Sequence, residues 1–311
     1  MKSVPTSLER VASIDIGTNT ILLLVAEVDQ GSLKPLFEAE TVVRLGEGLQ
    51  RNGVLSQKAM QRGRRTLSQY LDTCRNIEAQ KIFAVGTSAL REARNSEDFL
   101  RKIKEKLGLS IEVISGKEEA ELSFLAVARD LNDPKESTLV IDVGGGSTEF
   151  IYGKHDQIIE WVSLPLGIVH FTEKFLVSDP VKEEEYEEMA REIRKLLPRI
   201  PRPKRPFLMA SIGGTGTTLA SVELGLKEFI PDKIHHFILK REALKRQLAL
   251  YRSRTIEERK WIRGLPPARA DVILAGGTIL YMAMEELKCE SVLINCHGVR
   301  YGLLYKRLNL G

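Results

Sequence analysis

Short apolar runs separated by amphipathic stretches dominate the chain, and the first of them predict a hairpin of buried strands. Residues 11–16 and 21–28 are apolar enough for two buried strands, and the tight turn 17–20 joins them. Ser56 is placed to cap a helix that follows over about residues 57–75. Strands that alternate with helices in this manner are typical of the α/β class.

The opening pattern returns in the second half of the chain. Residues 139–143 predict a buried strand, 144–147 a glycine-rich turn and 148–152 the return strand. Asp142 near the end of this strand corresponds to Asp15 near the end of the first one. Two halves with one such hairpin each indicate an internal duplication.

Glycine-rich turns are predicted after four apolar strands. They are Gly17-Thr18-Asn19-Thr20, Gly144-Gly145-Gly146-Ser147, Gly213-Gly214-Thr215-Gly216 and Gly276-Gly277-Thr278. Glycine lets backbone N–H groups approach a phosphate closely, and hydroxyl groups add further donors. For the first two turns, each preceded by an aspartate within the strand, this pattern favours phosphate binding over an ordinary turn.

The two strand aspartates are the first candidates for chemistry. A lone buried carboxylate is costly unless it is hydrogen-bonded, paired or bound to a cation. A magnesium ion beside a phosphate would meet this need for Asp142. For Asp15 a contact through water is equally compatible, and for both residues the alternative is hydrogen bonding to N–H groups of the turn.

Other charged residues stand beside these turns. Glu149 closes the second turn, and strand alternation allows it to face the same side as the turn. Glu119 lies at the start of a helix predicted over about residues 117–131, where carboxylates often only complement the helix dipole. Arg91 lies in a predicted loop after the strand 81–86, where it could bind a phosphate or form a surface salt bridge.

The amino-acid composition and the lengths of the apolar runs argue against nucleic-acid-binding and membrane proteins. The 311 residues are 43% hydrophobic and 28% charged with a net charge of +4, which is ordinary for a globular protein. Aromatic residues make up 6%, too few to favour a stacking platform for nucleic acid. No stretch approaches the roughly 18 apolar residues of a membrane span, and the N-terminus has no apolar signal-peptide core. We therefore expect a cytoplasmic protein without nucleic-acid or membrane partners.

Histidine and cysteine chemistry is not expected. The three cysteines show no CxxC spacing, which disfavours both a zinc cluster and a disulfide framework. The five histidines are scattered along the chain without the context of a catalytic triad: His155, His170, His235, His236 and His297.

Taken together, several segments resemble one known family. They are 14–20 (Ile-Asp-Ile-Gly-Thr-Asn-Thr), 86–93 (Gly-Thr-Ser-Ala-Leu-Arg-Glu-Ala), 114–120 (Ile-Ser-Gly-Lys-Glu-Glu-Ala) and 142–149 (Asp-Val-Gly-Gly-Gly-Ser-Thr-Glu). The chain resembles the exopolyphosphatase and guanosine pentaphosphate phosphohydrolase family, in its short form. This family belongs to the superfamily of sugar kinases, heat-shock chaperones and actin.

The resemblance implies a fold and a division of the chain. It implies an α/β protein of two actin-like (ribonuclease H-like) domains with an active-site cleft between them. We expect residues 1–122, joined by a C-terminal helix of about 300–311, to form the first domain and residues 123–299 the second. The oligomeric state, monomer or homodimer, stays open.

The resemblance also implies an activity. Members remove the terminal phosphate of inorganic polyphosphate, or the 5′-terminal phosphate of guanosine pentaphosphate, with Mg²⁺ or another divalent cation. A kinase that needs ATP and an acceptor, and a sensor that binds polyphosphate or guanosine penta- or tetraphosphate without turnover, are the alternatives. Two glutamates beside a phosphate argue against a pure binding protein.

Carried over by position, the resemblance implies roles for particular residues. Glu119 matches the glutamate that activates water and Glu149 a second essential glutamate, while Asp142 and Glu149 would hold the magnesium. The first two glycine turns, with Gly214 and Thr215, would bind phosphate. Arg91 would contact the phosphate chain, and Arg269 would lie near a nucleotide or the polyphosphate tail.

Overall fold

The computed structural model describes residues 9–29, 31–131 and 137–310. The strands are β1 (Glu9–Ile16), β2 (Thr20–Asp29), β3 (Ser32–Val42), β4 (Lys81–Gly86), β5 (Glu112–Val113), β6 (Ser137–Val143), β7 (Thr148–Lys154), β8 (Gln157–Leu164), β9 (Phe207–Ile212), β10 (Ile238–Lys240) and β11 (Ser291–Ile294).

The helices stand between these strands and after the last of them. They are α1 (Leu49–Asn52), α2 (Gln57–Asn76), α3 (Ser88–Glu92), α4 (Ser96–Leu107), α5 (Gly116–Asp130), α6 (Ile168–Phe175), α7 (Glu183–Leu196), α8 (Gly213–Glu223), α9 (Pro231–Ile234), α10 (Arg241–Arg252), α11 (Ile256–Arg259), α12 (Ile273–Glu286) and α13 (Val299–Arg307). Short 3-10 turns cover Leu197–Arg199 and Pro267–Arg269.

The chain divides into two compact units. The first unit contains Met1–Ser115 and Val299–Gly311, and the second contains Gly116–Gly298. Helix α5 thus belongs wholly to the second unit, whereas the boundary expected from the sequence, after residue 122, lies inside this helix. The C-terminal helix α13 belongs to the first unit, where it packs against β1 and β2.

The sheet of the first unit has the order β3-β2-β1-β4-β5. Strands β1, β2 and β3 pair antiparallel, while β4 is parallel to β1 and β5 to β4. Strand β1 is central, and its residues 11–16 are all buried, which explains why they read as one continuous apolar run. Ser13 and Asp15 are the polar exceptions, and the Ser13 hydroxyl donates to the Arg300 carbonyl of α13 at 2.7 Å.

The sheet of the second unit repeats this arrangement. Its order is β10-β11-β9-β6-β7-β8, in which β6, β7 and β8 pair antiparallel and β9 runs parallel to β6. Strand β10 is an addition at the far edge, antiparallel to β11. Each sheet therefore carries the same hairpin and the same parallel extension. The predicted α/β class with two actin-like (ribonuclease H-like) halves is confirmed.

The fourth glycine motif lies in a different element from the one predicted. Residues 272–275 read as a strand before a turn at Gly276-Gly277-Thr278, but the structure places these three residues inside α12. Helix α12 is apolar almost all round, so its sequence lacks the polar face that marks an amphipathic helix. The glycines serve packing, because a Cβ on Gly276 would lie 2.8 Å from Thr215 Cγ2. The prediction of a fourth glycine turn is wrong.

Candidate active site

The hairpin β6–β7 of the second unit holds two carboxylates side by side. Asp142 of the central strand pairs with Glu149 across the antiparallel ladder, so their side chains share one face of the sheet. On its other side Asp142 pairs with Ile212, the last residue of β9. The carboxylates therefore stand where β6 ends and the glycine turn begins.

Two hydroxyl groups hold the Glu149 carboxylate, which is 3% exposed. Ser147 Oγ and Ser163 Oγ each donate to Glu149 Oε1 at 2.7 Å. Ser163 lies directly opposite Glu149 on β8, and the sequence analysis did not identify it. The signal that could have found it is the register of the β7–β8 hairpin, which places residue 163 on the face of residue 149.

A third carboxylate approaches from α5. Glu119 stands in the first turn of this helix and is 9% exposed. Burial, together with the negative charges of Glu119 and Asp142, raises the pKa of Glu149 to about 8, although the two hydroxyl hydrogen bonds lower it. Buried carboxylates that oppose one another in this way suit a hard divalent cation, which takes oxygen ligands.

The glycine turn between β6 and β7 is fixed by backbone contacts. Gly144 N–H donates to Ser147 O at 2.9 Å, and the Ile168 and Val169 amides at the start of α6 donate to the carbonyls of Gly144 and Gly145 at 3.0 Å each. Gly167 lies against the same turn: a Cβ on it would be 2.3 Å from the carbonyl carbon of Gly146. Gly167 therefore supports the turn, and the sequence analysis did not identify it.

The third glycine motif forms the first turn of α8, where a free-standing turn was expected. Its Gly213 lies beside Asp142, since a Cβ on Gly213 would be 2.5 Å from Asp142 Oδ1. Thr215 Oγ1 donates to the Val143 carbonyl at 2.9 Å, which ties the helix to the end of β6. The N-terminus of an eleven-residue helix thus stands beside the carboxylates, and such a terminus favours anions.

Arg269 lies against this same helix start. A Cβ on Gly214 would be 1.9 Å from Arg269 Nη2, so the guanidinium covers the α carbon of that glycine. Arg269 is 4% exposed and ends the 3-10 turn Pro267–Arg269. The structure therefore brings Arg269, Gly214 and Thr215 together with Asp142 within the second unit.

In the first unit, the turn after β1 has a comparable construction. Gly17 N–H donates to Thr20 O at 2.9 Å, and the Asn19 carbonyl accepts from the amides of Val43 and Arg44 at 2.9 and 2.8 Å. The Asn19 side chain is 4% exposed, and neither its Nδ2 nor its Oδ1 makes a hydrogen bond within the described residues. A buried amide of this kind is available to a ligand.

The remaining predicted site residues of the first unit lie near this turn. Asp15 precedes it on β1 and is 9% exposed, and Thr18 is also buried, with its carbonyl accepting from Gly46 N–H at 2.9 Å. Arg91 lies in the short helix α3, not in a loop, and its Nη1 donates to the Ile114 carbonyl at 3.0 Å. This contact fixes the direction of the guanidinium.

Three of the five histidines, which are scattered along the chain, lie together in space around Asp130. His235 Nε2 and His236 Nε2 lie 3.0 and 2.6 Å from the two oxygens of Asp130, and His297 Nδ1 lies 3.4 Å from the first of them. Asn295 Nδ2 donates to Asp130 Oδ2 at 2.7 Å. Asp130 lies 105 positions before His235 and 165 positions before Asn295, so no local sequence pattern predicts the cluster.

Ligand atoms of Asp130, His235 and His297 lie within 4.8 Å of one another, close enough for a metal ion. However, Cys296 N–H donates to His235 Nδ1 at 3.1 Å, so the neutral ring carries its proton on Nε2 and donates it to Asp130. A metal-binding histidine normally donates from its second nitrogen. The cluster is therefore best described as a buried carboxylate with several hydrogen-bond donors.

The protein belongs to the Ppx/GppA phosphatase family, whose family model matches residues 24–310. It is 33% identical over 299 residues to the guanosine-5′-triphosphate,3′-diphosphate pyrophosphatase of Vibrio vulnificus, covering 96% of this chain and 59% of that protein. The chain spans about half the length of the curated relatives it matches.

Solved structures of this family match the whole fold. The Ppx/GppA family member of Aquifex aeolicus is 33% identical with a TM-score of 0.82, and the match covers 97% of this chain and 98% of that one. An exopolyphosphatase from Cytophaga hutchinsonii is 26% identical with a TM-score of 0.86 and the same coverage. Among the described residues, no helix has the length and apolarity that crossing a membrane requires.

Proposed function

We propose that this chain is a phosphohydrolase. It removes the terminal phosphate of inorganic polyphosphate, the 5′-terminal phosphate of guanosine pentaphosphate, or both, by in-line attack of water. The observation that carries the proposal is the group of three carboxylates, Glu119, Asp142 and Glu149, beside a glycine turn and a helix N-terminus. The relatives include a guanosine-5′-triphosphate,3′-diphosphate pyrophosphatase and an exopolyphosphatase, which supports both substrates.

Magnesium is part of this proposal, and the donor set fits it. Asp142 and Glu149 would hold the ion, since their oxygens share one face of the hairpin and repulsion between the carboxylates raises the pKa of Glu149. The ion supplies charge neutralisation at the phosphoryl oxygens. Other divalent cations that prefer oxygen ligands would fit the same donors.

Phosphoryl transfer depends mainly on positioning and on neutralising charge. We assign the base to Glu119, which accepts a proton from the attacking water. Backbone N–H groups of the turn 144–147 and of the α8 N-terminus, at Gly214 and Thr215, hold the terminal phosphates. Arg269 neutralises charge at the same helix start, on a nucleotide or on the polyphosphate tail.

Residues of the first unit complete the proposal. The turn 17–20 binds phosphate through its amides and the Asn19 side chain, whose polar atoms make no hydrogen bond within the described part of the chain. Asp15 contacts the ligand through water, and Arg91 contacts the phosphate chain. We assign this reaction to the cytoplasm.

Phosphate release from the purified protein with Mg²⁺ tests the proposal. We expect release from long-chain polyphosphate, guanosine pentaphosphate or both, without an acceptor and not from ATP alone. Glu119→Gln should lower kcat by about 10²–10⁴-fold, the range of a general base. The matched control is Glu121→Gln on the same helix, where a side chain 40% exposed pairs with Lys117; its kcat should stay within about twofold.

Two outcomes contradict the proposal. Tight binding of either anion without phosphate release favours the sensor. Unchanged turnover in Glu119→Gln removes the proposed base while leaving the substrate assignment standing.

A further inference from the structure

A concave basic surface runs along α2 in the first unit. A cavity of about 760 Å³ is lined by the basic side chains of Lys58, Arg62, Arg64 and Arg65, with Leu107 of α4 at its edge. A second cavity of about 180 Å³ shares Arg64 with the first and adds Lys102 and Lys106 of α4. No aspartate or glutamate lines either cavity. We call the two cavities together the α2–α4 groove.

Five of the six basic side chains of the groove are available to a ligand, whereas Arg62 pairs with Glu47 at 2.7 Å. Lys58, Arg64, Arg65 and Lys106 are exposed and Lys102 is half-buried. None of these five forms an ion pair within the described residues, although basic side chains elsewhere commonly do. A set of cations without acidic partners raises the local positive potential, which attracts anions.

The distribution of positive charge along α2 is unfavourable for the stability of the helix itself. The first acidic residue of the helix is Asp72, so Lys58 stands in a first turn that carries no carboxylate. A helix N-terminus favours negative side chains, and like charges three or four positions apart destabilise a helix. Lys58, Arg62 and Arg65 have that spacing on the face opposite the buried residues Ala59 and Leu67.

The groove is connected to the phosphate-binding turn of the same unit. Arg62 donates from Nε to the Val43 carbonyl at 2.7 Å and from Nη2 to the Arg44 carbonyl at 3.1 Å. The amides of these two residues donate to the Asn19 carbonyl. One wall of the groove therefore touches the segment that holds the turn 17–20.

We propose that the α2–α4 groove is a secondary binding site for a linear inorganic polyphosphate chain, which it holds by phosphates distant from the one being hydrolysed. The site deepens the proposed function and rests on it. A flexible chain of phosphates fits a surface of guanidinium and ammonium groups, which bind phosphate oxygens with charge-assisted hydrogen bonds. The larger cavity has no aromatic lining residue, and Phe99 of the smaller cavity is only 1% exposed, so the groove offers no open ring for stacking a base, which favours polyphosphate over RNA.

The double variant Arg64→Gln/Arg65→Gln tests the site, because both side chains are exposed and their loss leaves the core intact. The KM for polyphosphate of several hundred units should rise about tenfold, and its dependence on salt should weaken. Tripolyphosphate and guanosine pentaphosphate carry too few phosphates to offer distant ones to the proposed site, so we expect their kcat and KM to stay within about twofold. The matched control is Arg191→Gln/Arg194→Gln on α7, which removes the same charge from an exposed face of the second unit.

The outcomes separate the two proposals. Equal KM values in the groove variant and the control, or an equal loss for long and short substrates, overturn the secondary site. If the wild-type protein releases no phosphate, the proposed function fails, and direct binding of end-labelled polyphosphate still tests the groove. In that arm, single-stranded RNA of matched charge that binds more tightly, and loses its binding in the groove variant, contradicts a polyphosphate site.

Discussion

Glu149 lies in an unfavourable electrostatic environment. Its carboxylate is buried, receives two hydroxyl hydrogen bonds and faces the negative charges of Glu119 and Asp142. Repulsion of this kind destabilises the metal-free protein, and a bound cation offsets it. Glu149 therefore couples the stability of the folded protein to the binding of a cation.

This argument predicts how Glu149→Gln changes thermal unfolding. Without divalent cations at pH 7 the variant should melt about 2–4 °C above the wild type. The raised pKa of Glu149 means that folding at this pH takes up a proton at a cost in free energy, and an amide avoids that cost. The shift corresponds to about 1 kcal/mol in a protein of this size. Mg²⁺ should raise the melting temperature of the wild type and leave the variant almost unchanged. The comparison is one calorimetric series with EDTA or Mg²⁺. An equal Mg²⁺ shift in both proteins would contradict Glu149 as a ligand.

Gly167 gives a second prediction at the scale of one residue. A methyl group on it would meet backbone atoms of Gly145 and Gly146, which cannot rotate away. Gly167→Ala should lower the free energy of unfolding by about 1–3 kcal/mol, as overpacking does, and should reduce phosphate release by displacing the turn. Gly298→Ala is the steric control for stability, since its Cβ would find its nearest neighbour at 3.8 Å. Equal stability of the two variants would mean that the turn tolerates the methyl group.

At the scale of helices and residue clusters, local sequence patterns predicted some features and missed others. Ser56 does cap α2, with its Oγ accepting from Ala59 N–H at 3.1 Å, because capping depends on residues three positions apart. Helix α12 was missed because a uniformly apolar segment has no period that separates helix from strand. The Asp130 cluster was missed because two of its histidines directly follow α9 and the third lies in the chain after β11, far from Asp130 in sequence.

Asp130, the last residue of α5, gives a prediction about how the free energy of unfolding depends on pH. Burial alone raises the pKa of Asp130, but hydrogen bonds from His235 and His236 and the nearby His297 lower it well below its usual range. A carboxyl whose pKa is lower in the folded than in the unfolded state stabilises the protein above its unfolded pKa, near 4, and this contribution is lost as the pH falls further.

Asp130→Asn should therefore lower the free energy of unfolding by about 1–3 kcal/mol at pH 7, since an amide NH₂ would face several donors. The difference from the wild type should shrink as the pH falls below about 4. Urea unfolding at pH 7, 5 and 3 measures it. A difference that stays constant over this range would mean that the carboxylate charge does not contribute.

At the scale of the whole molecule, the sequence predicted the two similar halves of the fold. The repeated hairpin can be recognised in the sequence because each central strand has an aspartate near its end, just before a glycine turn. These aspartates are Asp15 and Asp142. Ser163 and Gly167 escaped notice because their roles depend on strand register and on close approach of separate segments. The roles of the site residues and the cleft implied by the family stay predictions.

The first unit depends on both ends of the chain, because α13 packs on β1 and β2. Leu304 of α13 is fully buried, so Leu304→Ala should lower the free energy of unfolding by about 2–5 kcal/mol. The loss should concentrate in the first unit and appear as faster proteolysis there, with reduced phosphate release, since β1 leads into the turn 17–20. Lys306→Ala, an exposed change on the same helix, should stay within about 0.5 kcal/mol. Cleavage that accelerates equally in Gly116–Gly298 would mean that the two units unfold as one cooperative body.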